Sequence, residues 1–276
     1  MTTTSYIKYL LHLADNALIL GHRNSEWCGH GPVLEQDIAI SNIALDLLGQ
    51  ARNFYQHAAE LFNALPATAK QQLFVSNLIT EKIATGNIIT EDDFAYLRNQ
   101  EDYYNFVLVE LPKGNWAVTI LRQYFFASFS NFLFTNMLSN STDQNLKAIA
   151  AKSLKEINYH ITWSADWLLR LGDGTTESNI KMQEAVNNLW PYAINMFNVA
   201  PYEKELLLTN TIADITAFKN NWQKQVTEKI LEATLTIPET KPSWLGDGKS
   251  GIHTENLSYI LGELQVVHRA HPNSLW

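Results

Sequence analysis

The stretch EQDIAISNIALDLLGQARNFYQHAAELF, residues 35–62, carries one helical pattern with apolar side chains over most of its circumference around Ile38–Leu48. A helix apolar nearly all round is satisfied only when other helices surround it, so a bundle with this segment inside is expected. Residues 116–139 form a second long apolar and aromatic pattern with the same demand. No segment shows the sustained alternation of a half-buried strand. Twelve glycines and eight prolines are few for 276 residues, and 46% hydrophobic side chains can fill a large core. These features predict an all-α fold.

Each long apolar pattern belongs to a helical hairpin. Residues 5–21 are spaced as a helix, GHRNSEWCGHGP (21–32) ends it, and 35–62 follows. Residues 116–139 run to the turn SNSTDQ, and 145–171 follow up to the LGDGTTES stop. Between the hairpins, an amphipathic helix is expected over 66–86, and Thr90 with Asp93 marks a short helix to about Asn99. LPKGNW (111–116) is a break. Further helices are expected over 177–197, after which NVAPYEK breaks the chain, and over 211–233. A Pro/Gly loop spans 236–251, and Thr254 is expected to cap a last helix to about Ala270. Two hairpins, 5–62 and 116–171, joined by a longer connection are the wiring of a ferritin-like four-helix bundle. One domain, 1–276, is expected, with the C-terminal helices of about 177–270 packed on the bundle.

Bundles of this wiring hold two metal ions with a Glu from one helix of each pair and Glu-x-x-His from the other. Carboxylates bridge the cations and imidazoles complete the coordination. In DLLGQ (46–50) and KEINYH (155–160) the two Glu positions are Leu47 and Ile157, and the two His positions are Gln50 and His160. Thirty residues before each Glu position stand Ala17 and Ala127. A degenerate di-iron centre is therefore expected, with these six side chains converging near the bundle axis and no metal among them. Gln50 and His160 should remain as neutral polar groups, bonded to each other or to nearby side chains. Burying unpaired carboxylates without a cation is costly, which explains why aliphatic residues would replace them. A rival register uses Asp46, Glu156 and His160, with Glu35, Asp37 and Asp15 as further oxygen donors, and would make the chain an autonomous di-metal oxidase or hydroxylase. Arg52 and Arg23 are the cations expected to pair with these acids.

Other functions are excluded or disfavoured. The formal charge is −8 and no Lys/Arg cluster exists, which argues against nucleic acid. Cys28 is the only cysteine, so no intrachain disulfide forms, as suits a reducing compartment. The N-terminus MTTTSYIKYL lacks a signal-peptide pattern, and no apolar run approaches the ~20 residues of a bilayer span. A cytoplasmic protein with no membrane contact is expected. Cys28 near His22 and His30 lacks an orienting Asp or Asn, so a half-buried, inert cysteine is expected. LGDGTT has no following Lys and is a helix stop, not a phosphate loop. Tyr124, Phe125, Phe126, Phe129, Phe132 and Phe134 are read as core and helix interface. Trp27, Trp116, Trp163, Trp167 and Trp190 exceed what one bundle core buries, so a hetero-partner is expected.

The stretches EWCGHGPVLEQDIAISNIALDLLGQARNFYQHAAEL (26–61), NFVLVELPKGNWAVTILRQYF (105–125), AKSLKEINYH (151–160), LLRLGDGT (168–175) and KSGIHTENL (249–257) together resemble the PaaC-type subunit of the bacterial ring-1,2-phenylacetyl-CoA epoxidase, a multicomponent monooxygenase. The likeness runs nearly end to end, with a longer segment around 62–88. It implies a ferritin-like fold without its own cofactor, paired with a PaaA-like catalytic subunit that carries the di-iron centre. A small PaaB-like protein and a reductase with FAD and a 2Fe-2S cluster complete such a system. It further implies that this chain edges the site of phenylacetyl-CoA, through Asp102, Tyr103, Tyr104 and Asn105 and through Lys204, Glu205 and Leu206.

Overall fold

The computed structural model describes residues 3–71, 73–239, 245–271 and 274. Helix α1 (Thr3–Ser25) turns back into α2 (Leu34–Asn63), and the two pack along their lengths. Helix α7 (Trp116–Asn140) turns back into α8 (Gln144–Gly172) in the same way, and α8 also lies against α2. These are the paired hairpins of a ferritin-like bundle, and the described residues contain no strand. Asn115 caps α7 by accepting from the Val118 amide, and Asp143 caps α8 by accepting from Asn145 and Leu146.

The connection between hairpins holds α3 (Ala67–Lys70), α4 (Asn77–Ala84), α5 (Glu91–Tyr96) and α6 (Val107–Glu110). After the second hairpin come α9 (Thr176–Asn195), α10 (Pro201–Leu208), α11 (Lys219–Glu232), α12 (Glu255–Leu264) and α13 (Val266–Ala270). Helices α9 and α11 cover α7 and α8, α10 lies on α1, and α12 lies on α6. A single buried cluster runs from Tyr6 to Leu261. Phe125, Trp190 and Trp222 fill the space between α7, α9 and α11.

Several expected boundaries move, each for a visible reason. Helix α1 does not stop at Gly21. That glycine lies where α1 and α2 touch, since a Cβ there would sit 3.3 Å from the Ala44 carbonyl oxygen, so it permits close packing and the helix continues. The single helix expected over 66–86 is two short ones. Asp102 draws the amides of Val75 (2.8 Å) and Ser76 (2.9 Å) out of any helix there. The helix expected from 211 begins as a 3-10 turn, Ile215–Phe218, because Asp214 accepts from the Thr216 amide at 2.8 Å. NVAPYEK is more than a break, since Pro201 opens α10. Thr254 precedes α12 without capping it. Its hydroxyl instead donates to Glu110 at 2.9 Å, and the last helix is interrupted at Gln265.

The largest departure concerns α2. Ile40, Ile43, Leu47, Ala51 and Phe54 are buried as expected. Leu34 is 73% exposed, Ile38 52% and Leu45 65%, so one face of the helix is uncovered.

Candidate functional site

Ala17, Leu47, Gln50, Ala127, Ile157 and His160, the six side chains expected near the bundle axis, are all buried. Close by, a cavity of about 10 Å³ is lined by Ala17, Gln50, Phe54, Phe126, Phe129 and other side chains, room for barely one water. Gln50 and His160 do not bond to each other. Gln50 Nε2 donates to Glu156 at 2.9 Å, and His160 Nε2 donates to Asp46 at 3.0 Å. Each polar group thus takes a carboxylate of the facing helix, one turn along, in antiparallel order. The second ring nitrogen of His160 is buried without a hydrogen-bond partner.

This donor set does not fit a di-iron centre. Four of the six positions are alkyl, and the remaining two offer one imidazole and one neutral amide. Among the described residues no three His, Cys, Asp or Glu side chains are grouped to hold a metal ion. The rival register is also split, because Asp46 meets His160 whereas Glu156 meets Gln50. Its further donors lie elsewhere. Asp37 accepts from the Gly31 amide at 2.9 Å, Glu35 is exposed, and Asp15 belongs to a separate network. The expected arginine pairings also fail. Arg23 meets Glu26 (2.6 Å) and Arg52 meets Glu91 (3.4 Å).

The cation that sequence reasoning missed is Arg98. It is fully buried, and both terminal nitrogens donate to Asp15. Tyr55 donates to Asp15 Oδ1 at 2.5 Å, and the Tyr104 amide donates to Oδ2 at 2.8 Å. Burial and the Asp15 charge push the Tyr55 hydroxyl well above its ordinary range, which keeps it a donor. His12 is driven down to about 3, first by burial and then by the nearby Lys249 charge, so it is neutral. Its Nδ1 donates to the Tyr104 carbonyl at 2.6 Å, while Asn16 accepts from the Phe106 amide at 2.8 Å. Three side chains of α1 therefore hold the backbone of 104–106.

Two further ionic knots flank this segment. Glu110 accepts from Asn105 (2.9 Å), His253 (2.7 Å) and the Thr254 amide (2.7 Å). Glu203 takes Lys249 on both oxygens, at 3.0 and 2.9 Å. Burial lowers the Lys249 ammonium, and the Glu203 charge opposes that shift.

Beside them opens a pocket of about 490 Å³ lined by Ser5, Lys8, Tyr104, Tyr202, Glu205 and Lys249 among others. Lys8 lies 5.7 Å above the Tyr104 ring, Ser5 donates to Glu205 at 2.6 Å, and the Tyr202 hydroxyl is buried without a hydrogen-bond partner. Of the seven residues expected at a substrate rim, Tyr104 and Glu205 line this pocket. Lys204 is exposed, whereas Asp102, Tyr103, Asn105 and Leu206 are buried. Asp102 holds the Val75 and Ser76 amides, and Tyr103 donates to the Ala95 carbonyl at 2.6 Å. Lys8 and Tyr202 were missed because neither stands in a motif.

Trp27, Trp116, Trp163 and Trp167 form a half-buried edge-to-face cluster with ring separations of 5.0, 5.9 and 6.1 Å, whereas Trp190 is core. Gln36 accepts from both Trp163 (3.0 Å) and Trp167 (2.7 Å). Cys28 is exposed rather than half-buried, because the α1–α2 loop projects from the bundle, and His30 contacts its carbonyl oxygen, not its sulfur. No described helix is long and apolar enough to cross a membrane.

The whole chain, residues 1–276, matches a family described as phenylacetic acid catabolic protein. It is 40% identical over 268 residues to the C subunit of the 1,2-phenylacetyl-CoA epoxidase of Escherichia coli (strain K12), covering 97% of this chain and 98% of that relative.

Proposed function

Since the chain belongs to the phenylacetic acid catabolic protein family, we propose that it is the non-catalytic helical subunit of a phenylacetyl-CoA epoxidase complex. The di-iron centre belongs to a PaaA-like partner, with a PaaB-like subunit and an FAD and 2Fe-2S reductase completing the cytoplasmic system. The observation that carries this reading is that Ala17, Leu47, Ala127 and Ile157, which the register aligns with metal-bridging carboxylates, are buried alkyl side chains. In this reading the bundle has kept its wiring and filled its centre at ordinary packing density.

The pocket beside Tyr104 is the part of the chain that edges the CoA thioester. Its volume suits part of such a molecule, and it offers an aromatic face and the Lys8 ammonium. Asp102, Tyr103, Asn105 and Leu206 act there indirectly, by holding the wall. The Tyr104→Ala variant in the assembled complex should raise KM for phenylacetyl-CoA about tenfold with little change in kcat, which corresponds to ~1.4 kcal/mol of uniform binding.

The deciding experiment combines iron analysis with His160→Ala. The purified chain alone should contain only trace iron, and the variant complex should keep its epoxidase activity. Stoichiometric iron that disappears with His160 would establish the autonomous oxidase built on Asp46, Glu156 and His160 instead. The contact between Asp46 and His160 is the one observation that favours that second reading.

A further inference from the structure

We propose that the pocket beside Tyr104 takes the uncharged pantetheine arm of a CoA thioester and leaves the nucleotide phosphates outside. The inference rests on the reading of this pocket as the edge of the CoA site, and it names the part of that molecule that enters.

Charge decides which end fits. The charged side chains that line the pocket are Lys8, Lys249 and Glu205. Lys249 has nothing left for an anion. An ammonium has three N–H groups, and those of Lys249 serve the Asn198 carbonyl at 2.8 Å and the two oxygens of Glu203 at 3.0 and 2.9 Å. Glu203 also balances its charge. What remains is one ammonium, Lys8, against one carboxylate, Glu205. Two further lysines stand close in sequence and do not line the pocket. Lys70 of α3 gives its ammonium to the Asn63 carbonyl at 2.8 Å, and Lys204 of α10 is exposed. The nucleotide end of CoA carries three phosphates, and sites for such groups gather several cations or unpaired backbone amides.

The helix starts do not supply that deficit. Ser5, in the first turn of α1, and Pro201 and Tyr202, which open α10, line the pocket. The positive end of each helix already meets a carboxylate of this chain. Ser5 donates to Glu205 at 2.6 Å, and the Ala200 amide donates to Glu203 at 2.8 Å. A phosphate entering here would be set against both acids.

The same lining suits a chain of amides. Pantetheine carries two amide groups, a hydroxyl and a pair of geminal methyls, and no charge. Its amide N–H groups need an acceptor such as the Glu205 carboxylate, and its carbonyls need donors such as the Lys8 ammonium and the Thr4 and Ser250 hydroxyls. Leu73 and the Tyr104 ring give the methyls an apolar surface. At about 490 Å³ the pocket lies in the lower half of the range for small-ligand sites, room for one arm of CoA and not for the whole.

The test uses the assembled epoxidase complex with two substrates, phenylacetyl-CoA and S-phenylacetylpantetheine, and with adenosine 3′-phosphate 5′-diphosphate as a competing probe. Ala69→Trp on α3 and Ser250→Tyr on the 3-10 turn Gly248–Ser250 narrow the pocket from separate elements, so one variant still reports if the other fails to fold. Each should raise KM about tenfold, by the same factor for both substrates, with kcat within about twofold and inhibition by the nucleotide probe unchanged. Lys8→Glu should raise both KM values by an equal, several-fold factor that does not grow at low salt. If the narrowing variants weaken the nucleotide probe and spare S-phenylacetylpantetheine, the nucleotide end occupies the pocket. That result overturns the inference and leaves the pocket as an edge of the CoA site. If KM for both substrates ignores all three variants, the pocket takes no part in binding CoA, and that reading falls together with this one.

Discussion

Two parts of the interior treat carboxylates in opposite ways. In the four long helices, the positions aligned with metal ligands are the buried alkyl residues Ala17, Leu47, Ala127 and Ile157, and the adjacent acids, Asp46 and Glu156, are half-buried where they meet His160 and Gln50. Along the outer side of α1, Asp15, Asp102, Glu110 and Glu203 are fully buried, and each has two or more donors on its oxygens. The difference is one of supply. The outer side has Arg98, Lys249, His253 and several backbone amides within reach, whereas the axis has one imidazole and one amide. A buried carboxylate persists where cations or amide hydrogens surround it, and an alkyl group takes its place where they do not.

That contrast can be broken at its strongest point first. Arg98→Met should destabilise the protein by about 3–5 kcal/mol in urea unfolding, because it leaves Asp15 buried without a cation. A loss below ~1 kcal/mol would mean that the two remaining donors, the Tyr55 hydroxyl and the Tyr104 amide, suffice. At the axis, Leu47→Glu and Ile157→Glu should each cost about 3 kcal/mol, since each places an unpaired charge in filled space. An unchanged melting temperature in either variant would show that the axis tolerates what the comparison says it excludes.

A smaller effect comes from pH. The folded-state pKa of His12 lies near 3, below the unfolded value, so the unfolded chain binds a proton that the folded one refuses. This contribution is fully present above about pH 6.5 and is lost as the pH falls toward 3. Between pH 7 and pH 5 it amounts to about 2 kcal/mol. His12→Gln should flatten that part of the stability curve, and an equal slope in both proteins would remove His12 from the account. The smallest effect is expected at the seam. Asp46→Asn leaves an oxygen for His160 and removes a charge that is already 34% exposed, so the change should stay under ~1 kcal/mol.

Much of the architecture was legible because periodicity reports burial. The two hairpins and the Thr90–Asp93 capping box follow from local spacing. The register also picks out Ala17, Leu47, Ala127 and Ile157, thirty residues apart in each hairpin, and all four are buried. The outer networks were not. Arg98 and Asp15 are 83 residues apart, His253 and Glu110 are 143 apart, and no local pattern announces either pair. The bare face of α2 misled for a different reason. Hydrophobicity marks what must be covered, and it does not say whether the same chain supplies the cover.

The stitching of 104–106 onto α1 has a consequence for motion. A segment outside regular structure ordinarily exchanges its amide hydrogens quickly, yet the amides of Tyr104 and Phe106 are bound to Asp15 and Asn16 inside the core. Their hydrogens can leave only when α1 itself separates, so they should exchange as slowly as those at the centre of the long helices. The wall of the pocket is then ordered before any ligand arrives, and binding there gives up little chain entropy on that side.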